Sequence, residues 1–206
     1  MKDYWGVIFL IIAGLLPIIR LFNQGFSSIL IFSVFVVVFL WKGLQRASSK
    51  LPAPLSLHYI LLGIIFGGIT QLFVQLEGLE KTFSAVPIVH FFQALTIYFW
   101  VVVAWYLVLR KYDFSPWSVF WVTGIWGIIV EAILLNGSFN VLIWFFIFVV
   151  YGSFAIIPYL LTKGKFDLIK RKKPGLKIYL LSFFLLVLAL FAAKVLIYLM
   201  ALVGIK

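Results

Sequence analysis

The chain has no cysteine, only two histidines and only six acidic residues among its 206. The missing cysteine removes disulfides, thiolate metal sites, iron–sulfur clusters and cysteine nucleophiles together. Charged residues are 11% of the sequence, about half the share found in soluble proteins. Apolar residues take their place, at 65%, and the mean hydropathy is +1.20. A globule of this size lacks the interior volume to hide so many Leu, Ile, Val and Phe side chains. Lipid must be the solvent for most of the chain, which reads as a polytopic protein of the cell membrane.

In hydrocarbon every backbone N–H and C=O must pair within its own segment, so long apolar runs must be helices. With about 20 residues needed to cross, the runs are Tyr4–Phe22, Phe26–Trp41, Leu57–Glu77, Ala85–Arg110, Pro116–Asn136, Phe139–Thr162 and Leu176–Val203. The expected fold is a single all-α domain over 1–206, a bundle of seven transmembrane helices. The breaks carry turn chemistry, such as Asn23-Gln24-Gly25, Asn136-Gly137-Ser138 and Pro174-Gly175. The first run lacks a small-residue cleavage site after its apolar core and reads as a retained helix.

Basic residues set the expected orientation. Lys2, Lys42, Arg46, Lys50, Arg110, Lys111 and the cluster from Lys163 to Lys177 make up thirteen of the seventeen. Alternating spans place all of them on one side, opposite Arg20, Lys81 and Lys206. The N-terminus is therefore expected in the cytoplasm and the C-terminus outside. This placement explains the net charge of +11 without nucleic acid. The Lys163–Lys177 cluster reads as a topology signal and an anchor for anionic lipid headgroups.

The remaining basic residue, Lys194, lies inside the seventh run, and Glu131 is the one carboxyl group well inside a run. Each costs at least about 2.5–3.5 kcal/mol at mid-bilayer, so such groups face a bundle interior and are paired. Uncharged polar residues gather at the same depth: Gln71 and Gln75 on the third run, His90, Gln93 and Thr96 on the fourth, Asn136 closing the fifth. The inner half holds almost none. Taken singly, each Gln reads equally as glue between helices. As a set, they read as a pocket in the outer half, with Glu131 and His90 as candidate catalytic proton carriers. Lys194, Gln71, Gln75, Gln93, Asn136 and Trp126 are then candidate ligand contacts.

Several chemistries fall away. One intramembrane histidine and one carboxylate do not make a three-ligand set, so no metal site is expected. A Ser–His–Asp array, an aspartyl dyad and a phosphate-cradling glycine loop are also missing. His58 lies near the cytoplasmic end of its helix, where a wet, functionless position is expected. Aromatic residues are 19% of the chain. The five tryptophans inside runs four to six read either as lipid-facing bulk or as the lining for an extended apolar ligand such as an isoprenoid, quinone, carotenoid or retinoid. Gly63 and Gly67 in the third run, with Gly124 and Gly127 in the fifth, mark close backbone approach and suggest that helices three and five are central.

Seven helices with a lysine in the last resemble the layout of retinal-binding rhodopsins. The cytoplasmic N-terminus and the segment Ser153-Phe154-Ala155, Tyr159-Leu160, Lys163-Gly164-Lys165 are similar to the inverted branch, the heliorhodopsins. That resemblance implies retinal on Lys194. The third helix offers Gln71 where a counterion carboxylate would be needed, and Glu131 would have to serve. Three function classes follow: a pocket protein that binds, moves or modifies a lipophilic molecule, a non-catalytic subunit partnered with other membrane proteins, and a retinal photoreceptor.

Overall fold

The computed structural model describes residues 26–76, 86–135, 137 and 139–203. The first expected span, Tyr4–Phe22, lies outside the described residues, as does Asn136. The described elements are helices: α1 (Phe26–Leu40), α2 (Lys42–Ser49), α3 (Leu55–Leu76), α4 (Pro87–Leu109), α5 (Pro116–Gly127), α6 (Val141–Phe166) and α7 (Leu176–Leu202). A π-helical segment, Ile128–Leu135, continues α5. Five stretches are long and apolar enough to cross a membrane, or six if α1 and α2 are one broken span. The chain is a multi-pass membrane protein.

The α1–α2 break is a sharp elbow of 83° at Trp41. Its cause is compositional. α1 is apolar throughout, whereas α2 reads KGLQRASS and has polar residues on most of its surface. The bend would leave the last carbonyls of α1 unpaired, and the Gln45 amide donates to two of them, Val38 O at 2.6 Å and Phe39 O at 3.2 Å. The short helix then lies on the end of α6. Ser49 Oγ donates to Leu161 O at 3.2 Å, and a Cβ at Gly164 would fall 2.8 Å from Ser49 Oγ, so only glycine lets α2 sit this close.

α6 is the post of the bundle. It packs against α1, α2, α3 and α5 and touches α4, while α7 lies outside against α4 and α5. Accordingly 67% of the apolar stretch of α6 is buried, against 22% for α7. The glycines do mark close approach, but α3 and α5 are not the central helices. They supply sockets. Gly63 and Gly67 admit Val102 and Tyr98 of α4, and Gly124 and Gly127 admit Phe148 and Tyr151 of α6. The helix that carries the large side chains is the one enclosed. Both pairs run antiparallel: from Gly63 to Gly67 the contact on α4 falls from Val102 to Tyr98, and from Phe120 to Gly124 the contact on α6 falls from Gly152 to Phe148.

Three connections meet at one end, which gathers the basic residues. Lys165 Nζ donates to Leu51 O and Ala53 O at 2.7 and 2.6 Å, tying the turn before α3 to α6. The α4–α5 and α6–α7 loops pair through backbone bonds, Asp113 N to Lys172 O at 2.9 Å and Lys172 N to Lys111 O at 3.0 Å. Arg171 fastens them. Its guanidinium is 3% exposed and binds Asp113 Oδ1 at 2.8 Å and Asp167 Oδ1 at 3.0 Å. It also donates to Tyr159 Oη at 3.3 Å, and Tyr159 Oη donates in turn to Phe114 O at 2.7 Å. Arg171 is thus turned inward, whereas its neighbours Lys172 and Lys173 are exposed.

Replacing Arg171 with Met is expected to destabilise the detergent-solubilised protein by about 2 kcal/mol, the cost of a lost charged hydrogen-bond hub whose carboxylates are half-exposed and screened. Lys172→Met, beside it but exposed, should stay within about 0.5 kcal/mol of wild type. Equal thermal melting of Arg171→Met and wild type would show that the loops hold without the hub.

Candidate functional site

The polar side chains expected in one half of the bundle fall at similar residue counts from the basic ends of their helices. Counted from the basic end of its own helix, Gln71 is 16 residues along α3, His90 and Gln93 are 19 and 16 along α4, Glu131 is 15 beyond Pro116, and Lys194 is 18 along α7. At about 1.5 Å per residue these are heights of roughly 22–29 Å. The register of the α3–α4 pair agrees. Gly63 against Val102 and Gly67 against Tyr98 carry Gln71, one turn on, to the level of Ala94.

Burial separates the members. Gln71 and His90 are each 1% exposed and Gln93 is 3% exposed, so all three are fully buried. Gln75, one turn further out, is half-buried and its amide donates to Pro87 O at 3.3 Å. Thr96 is set apart, since its hydroxyl bonds back to Phe92 O within α4. Glu131 is half-buried on the π-helical segment. Lys194 is also half-buried: Ser182, Leu186, Ala189 and Ala193 form the inward stripe of α7, and Lys194 sits at its edge.

Trp126 is 1% exposed and packs edge-on against Tyr151 with ring centroids 5.4 Å apart. Of the two expectations for the tryptophans, lipid-facing bulk describes Trp121, which is 48% exposed, and fails for Trp126 and Trp105. The Trp105 indole N–H has a partner, Thr123 Oγ1 at 2.8 Å. The Trp126 and Trp100 indole N–H groups, the Gln93 side-chain carbonyl and the Ser153 hydroxyl are buried with no partner among the described residues. Buried polar atoms are seldom left in that state, and each such case asks for an explanation.

His58 departs from expectation. It is 5% exposed, and its Nε2 lies 3.3 Å from Ser48 Oγ. The apolar period of α3 gives no hint of this, because the cover comes from α2 folding back at the elbow. The signal was in α2 itself. Lys42, Arg46 and Lys50 recur at four-residue spacing after an apolar run, the mark of a surface helix rather than the tail of a span. The π-helical turn under Glu131 had no sequence signal. Such turns are rare and are frequent at functional sites.

No family model, no curated protein and no solved structure matches this chain.

Because the buried Gln93 carbonyl accepts no hydrogen bond among the described residues, Gln93→Met is expected to leave stability within about 0.5 kcal/mol of wild type, or to raise it. A loss above about 1.5 kcal/mol in thermal or denaturant unfolding would assign Gln93 to ordinary helix glue.

Proposed function

We propose that this protein binds one lipophilic or amphipathic small molecule, lipid-like or isoprenoid, in the polar layer of α3, α4, the π-helical segment and α7, and transports or modifies it. The observation that carries the reading is the enclosure of Gln71, His90 and Gln93, each under 4% exposed, at one height. Helix glue would be scattered along the spans. The unsatisfied Gln93 carbonyl and Trp126 indole favour a ligand that completes them. Trp126 lies about two turns deeper, which suits an elongated molecule with a polar head and an apolar body.

In this reading Gln71, Gln75 and Gln93 hold the head, Lys194 bounds the outer rim, and Trp126 lines the apolar body. His90 and Glu131 are the groups able to exchange a proton with the ligand, and the π-helical turn offers Glu131 a backbone that can shift register. Seven spans with the N-terminus in the cytoplasm and the C-terminus outside a cell membrane complete the proposal. The pocket then opens outward or into the outer leaflet. Cysteines placed at Lys172 and Asn140 should label from the cytoplasmic and outer faces respectively, and labelling from one face would overturn the orientation.

The function itself is tested by mass spectrometry of small molecules that co-purify with the full chain. Gln71→Leu and His90→Leu should each lose the ligand while melting as wild type does, whereas Trp121→Leu, on the lipid-facing surface, should retain it. Retention in all three would remove the polar layer from the account.

A subunit role is the second reading, and one feature favours it. Leu181, Phe184, Leu188, Phe191, Val195, Tyr198 and Leu202 recur at alternating four- and three-residue spacing along the exposed face of α7, the repeat by which helices pair side by side. Under that reading the ligand variants are silent and Phe191→Ala releases a membrane partner.

A further inference from the structure

An open cavity lies at the other end of the molecule. It has a volume of about 420 Å³ and runs between α2 and the end of α6, lined by Lys42, Gln45, Arg46, Lys50, Leu160 and Lys163 among others. Its charge is one-sided. The carboxylate on its wall, Asp167, is already engaged by Lys163 at 3.1 Å and by Arg171 at 3.0 Å. Lys42, Arg46 and Lys50 pair with no carboxylate among the described residues.

The walls are fixed. Ser49 is bonded to Leu161 O, Gly164 seats α2 on α6, and Gln45 locks the elbow to the carbonyls of α1. A basic tail would be a diffuse counter-ion cloud, but these cations are held by packed backbone. Lys42, Arg46 and Lys50 lie one turn apart on one side of the helix axis and span about 12 Å. A single phosphate reaches only part of that row. Two phosphates joined by a short polyol bridge all of it.

We propose that this groove binds the headgroup of an anionic phospholipid carrying two phosphate groups. A lipid is favoured over a soluble polyphosphate by the flank of the groove. Val37, Leu40 and Trp41, at the end of α1 and its elbow, are large, apolar and more than half exposed. They offer a track for acyl chains directly below the cations. The 83° turn of α2 away from α1 would set the basic row along the membrane surface, at headgroup level. The site is independent of the buried polar layer.

The test is native mass spectrometry of the detergent-purified full chain titrated with diphosphatidylglycerol, phosphatidylglycerol at matched charge, or inorganic pyrophosphate. Wild type should retain one diphosphatidylglycerol in preference to the other two. The triple variant Lys42→Gln/Arg46→Gln/Lys50→Gln should bind it about tenfold more weakly. A second triple, Lys170→Gln/Lys172→Gln/Lys173→Gln, removes the same charge from the exposed α6–α7 loop and should bind as wild type does. If the first triple fails to fold, Arg46→Gln alone should weaken retention while melting normally. Equal weakening in both triples, equal retention of phosphatidylglycerol, or pyrophosphate binding as tight as the lipid would each overturn the proposal.

Discussion

Hydrocarbon offers no hydrogen bonds, so each departure from an uninterrupted apolar helix must be compensated by protein atoms. At the elbow after α1 the compensation is the Gln45 amide under two carbonyls. At the loop-bearing end it is Arg171, which gathers Asp113, Asp167 and Tyr159 into one hub. Around Thr70, Thr96, Thr123, Thr162 and Ser182 the hydroxyl returns to a carbonyl four residues back. Against that background of completed pairs, the incomplete ones carry information. The Gln93 carbonyl and the Trp126 indole are buried with no partner among the described residues, and the proposed ligand rests on them.

The two ends of the bundle therefore do different things. At the basic end Arg171 and Lys165 hold loops together, whereas Lys42, Arg46 and Lys50 of α2 line an open groove. Toward the other end the polar groups are withdrawn from solvent between α3 and α4. Glycine sockets make that enclosure possible. Val102 and Tyr98 seat where α3 has no side chains, drawing the backbones together just below Gln71, and Gln71, His90 and Gln93 are each under 4% exposed.

Much of this was legible in the sequence because one physical quantity, apolar length, dominates in a membrane. With the π-helical segment counted as the end of α5, the ends of α3 to α7 fall within a few residues of the expected Leu57–Glu77, Ala85–Arg110, Pro116–Asn136, Phe139–Thr162 and Leu176–Val203. The shared depth of Gln71, His90 and Gln93 was also legible, since a helix rises by a fixed amount per residue. Facing was not. Glycines reveal that two helices touch, but not which of them is enclosed, so α6 took the central place expected of helices three and five. His58 was expected in water, and the residues that cover it belong to a helix whose return depends on the elbow. Lys194 was expected to be buried, but it sits at the edge of the inward stripe because α7 is the outermost helix. The π-helical turn at Glu131 depends on tertiary fit, which no local propensity encodes.

The central claim is that polar groups from separate helices form one connected site. It is tested most directly by a double-mutant cycle on Glu131→Gln and Lys194→Met, followed by unfolding of the detergent-solubilised chain. Lys194→Met alone should destabilise by leaving a carboxylate without its cation, unless Glu131 takes up a proton. Adding Glu131→Gln should recover part of that loss, with a coupling of about 1 kcal/mol or more. Single and double variants that add to within about 0.3 kcal/mol would show that the π-helical segment and α7 do not share a site.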